Sequence, residues 1–310
     1  MEAPRKNSMV QKIVRNIDAS ANCLESEHCI TNKITFCRLF FGILFLREKQ
    51  MATYVVGDIQ GCFKTFQSLL RRLKFKPHDD KLIVLGDFIN RGPRSLEIIR
   101  YIIEHEEHIS VVLGNHEIFA LAIMLGALET KSQHTLHELL TAPDRAKIID
   151  WLQARPLLIR QENNIFVHAG LLPSWSIKQA TNWALIIQEK LASTHARSFL
   201  SNYFSLKKTE QLSGDSLALA SLTRMRMCVS NNMIDLSYTG GLTNAPKDLK
   251  PWFMVRDDGE AKIYFGHWAA LGFYNYKNYY CLDSGCGWGR SLSALDLEDH
   301  VLFQVDNCDF

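Results

Sequence analysis

An α/β fold with mixed sheets is predicted by three features of the chain. A strand–loop–helix order repeats three times from Thr53 to Leu128, strands return near the C-terminus, and a helical stretch is inserted between them at about 175–230. Thr53–Val56 is a short β-branched and aromatic run that stops at Gly57-Asp58, as a buried strand meeting a loop does. Phe63, Phe66, Leu69, Leu70 and Leu73 then recur at helical spacing before Pro77. Lys81–Leu85 is a second strand, again followed by Gly-Asp. Gly92-Pro93 breaks the chain, and Ser95 is placed to cap a helix running to about Glu107. Ser110–Leu113 is the third strand; it ends at Gly114-Asn115-His116-Glu117, and helix resumes over Ile118–Leu128. Further helices are expected at Leu136–Leu140, Arg145–Ala154, Ile177–Ala192 and Ala196–Phe204. Between them Asn164–Val167 is a strand running into His168-Ala169-Gly170. The closing strands are Lys262–Phe265, Tyr279–Leu282, Ser293–Leu297 and Val301–Val305. No linker composition interrupts the chain after Met51, so residues 51–310 read as one domain.

A formal charge of +2 gives no support to a nucleic-acid binder driven by bulk electrostatics, so phosphate affinity has to come from a local site. The eight cysteines form no C-x-x-C pair, which leaves zinc ribbons and thioredoxin-like redox motifs unsupported. Scattered as they are, they fit the reducing cytoplasm and a role as small buried hydrophobes. Residues 1–50 differ in character: polar up to Lys33, then an apolar run from Leu39 to Leu46 bounded by Arg38 and Arg47-Glu48-Lys49-Gln50. That run is too short for a bilayer span, which takes about 20 residues. It also lies too far from the N-terminus for a signal peptide, and no small-residue cleavage site follows it. Residues 1–50 are expected to be an upstream extension, disordered, loosely docked or mis-assigned, with Met51 as the natural start; a membrane-touching helix is the alternative.

Five loops after five strands carry residue types that bind metals or phosphates. They are Gly57-Asp58-Ile59-Gln60-Gly61, Gly86-Asp87-Phe88-Ile89-Asn90-Arg91-Gly92, Gly114-Asn115-His116-Glu117, His168-Ala169-Gly170 and Gly266-His267-Trp268. In open α/β sheets ligands sit beyond the carboxyl ends of the strands, so these loops are placed to converge on one crevice. Carboxylate, amide and imidazole donors suit borderline divalent ions such as manganese, cobalt, iron or zinc. Each loop alone reads as an ordinary turn or a half-buried histidine. Five in compatible order do not.

This order resembles the phosphoprotein-phosphatase branch of the calcineurin-like metallophosphoesterases. Within that branch, four stretches look like the symmetrical diadenosine tetraphosphatases of bacteria: Met51-Ala52-Thr53-Tyr54, Thr223-Arg224-Met225-Arg226, Phe265-Gly266-His267-Trp268 and Leu282-Asp283-Ser284-Gly285-Cys286-Gly287-Trp288-Gly289. The resemblance runs from Met51 to about Phe303. It implies a four-layer fold, two mixed sheets packed together with helices outside, and a centre of two divalent metals, Mn2+ or Co2+. Asp58, with Gln60, would bind the first metal and Asp87 would bridge both; Asn115, His168 and His267 would bind the second. Two cations roughly 3.5–4 Å apart activate water and neutralise the phosphate under attack. The implied reaction is in-line attack of metal-activated hydroxide on an inner phosphorus of diadenosine tetraphosphate, releasing two ADP. His116 would protonate the leaving oxygen, and Arg91 would grip phosphate oxygens, with Arg224 and Arg226 as further candidates. On an extended segment those two would share a face, with an ordinary surface pair as the alternative.

Two positions depart from the protein-phosphatase pattern. Gln60 stands where that pattern has His, and an amide is the poorer ligand. Asn90 stands where it has Asp, so a carboxylate pairing with His116 is missing there. Trp268 and Trp288 follow glycine-rich turns and are candidates for stacking on a base, with core packing as the alternative. Asp283 reads either as a residue orienting a ligand histidine or as a capped turn, and Glu117 as a supporting or helix-start residue. A serine/threonine protein phosphatase and a non-catalytic nucleotide-binding relative are the competing functions. The same chemistry would extend to dinucleotide-type caps on RNA 5′ ends.

Overall fold

Strands alternate their side chains between two faces, and in β1 (Thr53–Val56) the two faces meet different partners. Val55 packs with Ile83, Leu85 and Leu295 and, across from them, with Phe166, Tyr264 and Leu282. Tyr54 and Val56 join the larger core that includes the helices. The computed structural model describes residues 51–129 and 135–310, so the expectations for residues 1–50 lie outside the described residues.

The alternation belongs to two five-stranded sheets. One has the order β13-β12-β1-β2-β3, with β2 (Lys81–Val84), β3 (Ile109–Val111), β12 (Ser291–Asp296) and β13 (Leu302–Asp306). The other is β10-β11-β9-β5-β4, from β4 (Leu158–Gln161), β5 (Asn164–Val167), β9 (Lys262–Phe265), β10 (Tyr274–Tyr276) and β11 (Tyr279–Cys281). β1, β2 and β3 run parallel to one another, as do β5, β9 and β11. Stacked rings of Phe166, Tyr264 and Tyr280, with centroids 5.2 and 5.0 Å apart, fill the layer between the sheets. Outer faces carry helices, giving the four layers of a metallophosphoesterase fold.

On the first sheet lie α1 (Phe63–Leu73) and α2 (Ser95–Glu104). α3 (Asn115–Met124), α4 (His137–Thr141) and α5 (Arg145–Gln153) follow β3, and α6 (Ile177–Ala192), α7 (Ala196–Ser205) and α8 (Gly214–Arg224) form the insertion between β5 and β9. A small sheet of β6 (Met227–Ser230), β7 (Met233–Asp235) and β8 (Lys250–Pro251) follows them. α6 starts where its sequence says: Ser176 Oγ accepts the Gln179 N–H at 3.2 Å while the Gln179 side chain accepts the Ser176 N–H at 2.9 Å.

Three expectations change. Ser95 does not cap α2; its hydroxyl accepts the Asn90 N–H at 2.8 Å, and Arg94 occupies the cap position. α3 begins at Asn115 rather than Ile118, because Glu117 reaches back to the Gly114 N–H at 2.8 Å and starts the helix early. Arg224 and Arg226 do not share an extended segment, since α8 ends between them. Four of the five cysteines among the described residues are buried and Cys308 is exposed; all five are unpaired. Among the described residues no helix is long and apolar enough to cross a membrane. Phe166→Ala, emptying the inter-sheet layer, is expected to cost about 3–5 kcal/mol in a urea or guanidinium unfolding midpoint; a loss under about 1 kcal/mol would contradict that packing.

Candidate metal centre

Six parallel strands deliver their C-terminal ends to one crevice. Asp58 follows β1, Asp87 follows β2, Asn115 follows β3, His168 follows β5, His267 follows β9 and Asp283 follows β11. Asp87, His168 and His267 place ligand atoms within 4.8 Å of one another. The His168 Nε2 atom lies 3.4 Å from Asp87 Oδ1, 3.2 Å from Asn115 Oδ1 and 3.3 Å from His267 Nδ1.

Backbone carbonyls fix both tautomers. His168 Nδ1 sits 2.7 Å from the Leu85 carbonyl, and His267 Nε2 sits 2.9 Å from the Arg224 carbonyl. A carbonyl only accepts, so each of those nitrogens carries the proton and the opposite lone pair turns inward. Burial drives both imidazoles to the neutral form, and for His267 the nearby Arg226 adds to it. Two imidazole lone pairs, a carboxylate oxygen and an amide oxygen therefore face one another without a donor among them. Such a set fits a divalent cation.

Asp58 is buried next to His267. Its oxygens accept the His267 N–H at 3.1 and 3.2 Å. Burial first, then Asp283 and Asp87, push its carboxyl well above the usual carboxylate range. Asp283 is raised to about 6, again by burial first, while the Gly285 N–H at 3.0 Å opposes the rise. For Asp87 burial acts upward, but the His116 imidazole, then the His116 N–H at 2.9 Å and the Gln60 amide, hold the carboxyl low. A Cβ on Gly266 would come within 2.1 Å of Asp58 Oδ1, and one on Gly114 within 2.3 Å of Asp87 Oδ1. Only glycine admits those carboxylates.

Glu117 sets the two adjoining loops. Fully buried, it accepts the backbone N–H groups of Asp87, Phe88, Ile89 and Gly114 at 2.8, 3.0, 3.2 and 2.8 Å. Burial and the Asp87 charge push its carboxyl up to about 8, against these amides, which favour the ionised form. The backbone here is strained: Gln60, Asp87, Asn90, Arg91 and His267 have φ of 48, 46, 71, 66 and 64°. That region costs an L-residue about 1–2 kcal/mol, and such strain collects at working sites.

The remaining candidates divide by position. Gln60 turns its amide nitrogen to Asp87 Oδ2 at 3.4 Å, so it supports the carboxylate instead of offering an oxygen. Asn90 accepts the Arg91 N–H at 2.9 Å, and the carboxylate facing His116 is Asp87, 3.6 Å from Nε2. Arg91, Arg226, Asp283, Trp288 and Arg290 line a cleft of ≈ 470 Å³ over the centre. The Arg91 guanidinium lies 4.1 Å above the Trp288 ring. Arg226 is anchored by the His267 carbonyl at 2.8 Å, whereas Arg224 faces away into a neighbouring pocket. Trp268 is corrected: it is 1% exposed, packs against Phe253 and donates its indole N–H to the Gly240 carbonyl at 2.8 Å, so it has no face to offer a base. Trp288, 60% exposed, does. Asp283 orients no histidine; it stands in the crevice beside Asp58.

Residues 51–214 match the family model of the calcineurin-like phosphoesterases. The chain is 41% identical over 263 residues to the symmetrical bis(5′-nucleosyl)-tetraphosphatase of Chromobacterium violaceum, covering 82% of this chain and 95% of that one. It is 40% identical to the protein of the same name from Methylobacillus flagellatus, over the same shares of the two chains. A crystal structure proposed to be a diadenosine tetraphosphatase superposes with a TM-score of 0.58 at 23% identity, covering 86% of this chain and 97% of that chain. Glu117→Gln, which turns amide protons toward backbone N–H groups, is expected to cost about 1–3 kcal/mol of stability and to lower bound metal in elemental analysis. A variant of parental stability and metal content would show that Glu117 does not position Asp87.

Proposed function

This chain belongs to the calcineurin-like phosphoesterase family, among the symmetrical bis(5′-nucleosyl)-tetraphosphatases, and from that premise we propose that it hydrolyses diadenosine tetraphosphate at its middle to give two ADP. The metals we propose are two divalent ions, Mn2+ or Co2+. The single observation that carries the reading is the inward set of three acceptor atoms around His168 Nε2, itself an acceptor, at 3.2–3.4 Å, in a cleft lined by Arg91 and Arg226.

Asp58 would hold the first ion, Asp87 both, and Asn115, His168 and His267 the second; Asp283 stands next to Asp58 as a further oxygen donor for the first. When bound, the ions supply Lewis acidity and a nucleophile drawn from water at neutral pH. The chain's own residues do the rest. Arg91, held flat by Trp288 at 4.1 Å, presents a fork that matches phosphate oxygens. Arg226 brings a second, mostly buried charge over Asp58, Asp87 and Asp283, where an incoming polyphosphate is most negative. His116, whose Nε2 accepts the Arg91 Nε–H at 3.4 Å and lies 3.6 Å from Asp87 Oδ2, lines the same cleft and, once protonated, would pass a proton to the departing phosphate oxygen.

The test is product analysis by chromatography after incubation with diadenosine tetraphosphate, with and without Mn2+ or Co2+. ADP alone, formed only with metal, is the expected outcome; AMP plus ATP would move the cut, and turnover of a phosphopeptide but not the dinucleotide would replace the reading by a protein phosphatase. Asp87→Asn is expected to lower kcat by a thousandfold or more, of the order of losing a principal electrostatic group; near-parental turnover would sink the shared-carboxylate assignment.

A further inference from the structure

A second pocket of ≈ 350 Å³ opens beside the metal cleft, and the two share Asn115 and His116 as a common wall. Beyond that wall the lining changes character. Phe119 of α3 and Phe204 of α7 meet edge to face, with ring centroids 6.3 Å apart and planes at 65°, and form one aromatic wall, both partly exposed. Tyr203 closes the floor, its ring 5.2 Å from that of Phe204. Polar groups sit at the edges: Asn90 and Thr223 on the walls and Arg224 at the far rim. Arg224 and Tyr203 also line a third, shallower cleft of ≈ 250 Å³ that holds Lys207 and Lys208.

This arrangement orders three chemistries along one path. The metal cleft takes phosphate, the aromatic pocket takes a flat apolar ring, and a cationic rim lies past it. A polyphosphate alone has no use for the middle element, because apolar walls do nothing for an anion. A planar heterocycle joined to a phosphate chain by a short linker has use for all of it. Aromatic faces stack on any base, and a few polar edge groups add orientation. The opposite wing of the metal cleft is different: there Trp288 is exposed and already covered on one face by Arg91.

Resting on the proposed tetraphosphatase reading, we propose that the pocket between α3, α7 and α8 is the subsite for one nucleobase of the dinucleotide, with Phe119 and Phe204 as its stacking surfaces. The two halves of a symmetrical substrate are then held unequally, one base enclosed here and the other on the open Trp288 side. Phe204 is a specificity-determining residue that lies in the helical insertion, away from the metal-binding loops.

The test compares the parent with Phe204→Ala and with Phe119→Leu, which keeps apolar bulk but removes the ring. Michaelis constants for diadenosine tetraphosphate are measured beside the dissociation constant of inorganic phosphate, determined by calorimetry on the metal-loaded enzyme. Base stacking predicts a KM raised about tenfold, kcat within about twofold, and phosphate binding unchanged. Phosphate binding that weakens in step with KM would mean the rings only support the fold, and the proposal falls. Parental KM in both variants also overturns it. If the parent binds phosphate but turns over no dinucleotide, the reading of the function fails and this subsite with it; if the parent turns it over and only the variants are silent, the subsite fails alone.

Discussion

One carboxylate, that of Glu117, accepts four backbone N–H groups from two loops, and the position of the central carboxylate of the crevice follows from it. Those amides belong to the ends of β2 and β3, which no ladder bonds reach. Without a common acceptor they would stand buried and unpaired, at about 1–3 kcal/mol each. Satisfying them fixes Asp87 in a left-handed backbone conformation with its side chain turned into the crevice. The same bond starts α3 at Asn115, whose side chain then enters the crevice from the first turn. The His116 N–H in turn points at Asp87 Oδ1, at 2.9 Å. One acceptor thus sets a carboxylate, an amide and an imidazole.

The surrounding charge is unfavourable by itself. Asp58, Asp87, Glu117 and Asp283 are all at most 2% exposed. Such burial disfavours the charged form by several kcal/mol per ion unless a partner compensates, which is why burial leads the causes that raise Asp58, Glu117 and Asp283. Backbone N–H groups compensate Glu117, and His116 with the Gln60 amide compensates Asp87. Asp58 and Asp283 have chiefly each other, one N–H group apiece and Arg226 nearby. A divalent ion beside them would remove the conflict, so the proposed metals would add to the stability of this end of the molecule as well as supply its chemistry.

Most of this was legible because the ligand types follow strands directly. Asp58, His168 and His267 come one or two residues after β1, β5 and β9, where a chain leaving a parallel sheet has to turn, and glycines mark each turn. Asp283 occupies the same place after β11, but its Asp-Ser-Gly context also describes a plain capped turn, and local sequence does not separate the two. Trp268 and Trp288 look alike in sequence, each after a glycine-rich turn. What separates them is a hydrogen-bond partner, the Gly240 carbonyl, far along the chain. Arg224 and Arg226 are hard to place from sequence for a related reason. The weak amphipathicity of Gly214–Arg224, polar at its start and apolar nearly all round its middle, hid the helix whose end turns the two arginines in different directions. β4, β7 and β8 are short and partly exposed, with too few residues for a period to show.

The division of labour between scaffold and insertion explains how a common metal centre serves a particular substrate. Every candidate ligand follows a parallel strand, and strand ends are rigid, so the centre tolerates little variation. The residues that surround it have a different origin. Tyr203, Phe204, Thr223, Arg224 and Arg226 lie within or directly after the helices inserted between β5 and β9. The insertion returns to the scaffold where the Arg224 carbonyl meets His267 Nε2 and Arg226 meets the His267 carbonyl. A shift of α8 would therefore move a candidate ligand together with the pocket wall. The pocket wall and the metal centre meet at His267, so the insertion that would select the organic group also holds one candidate ligand in place.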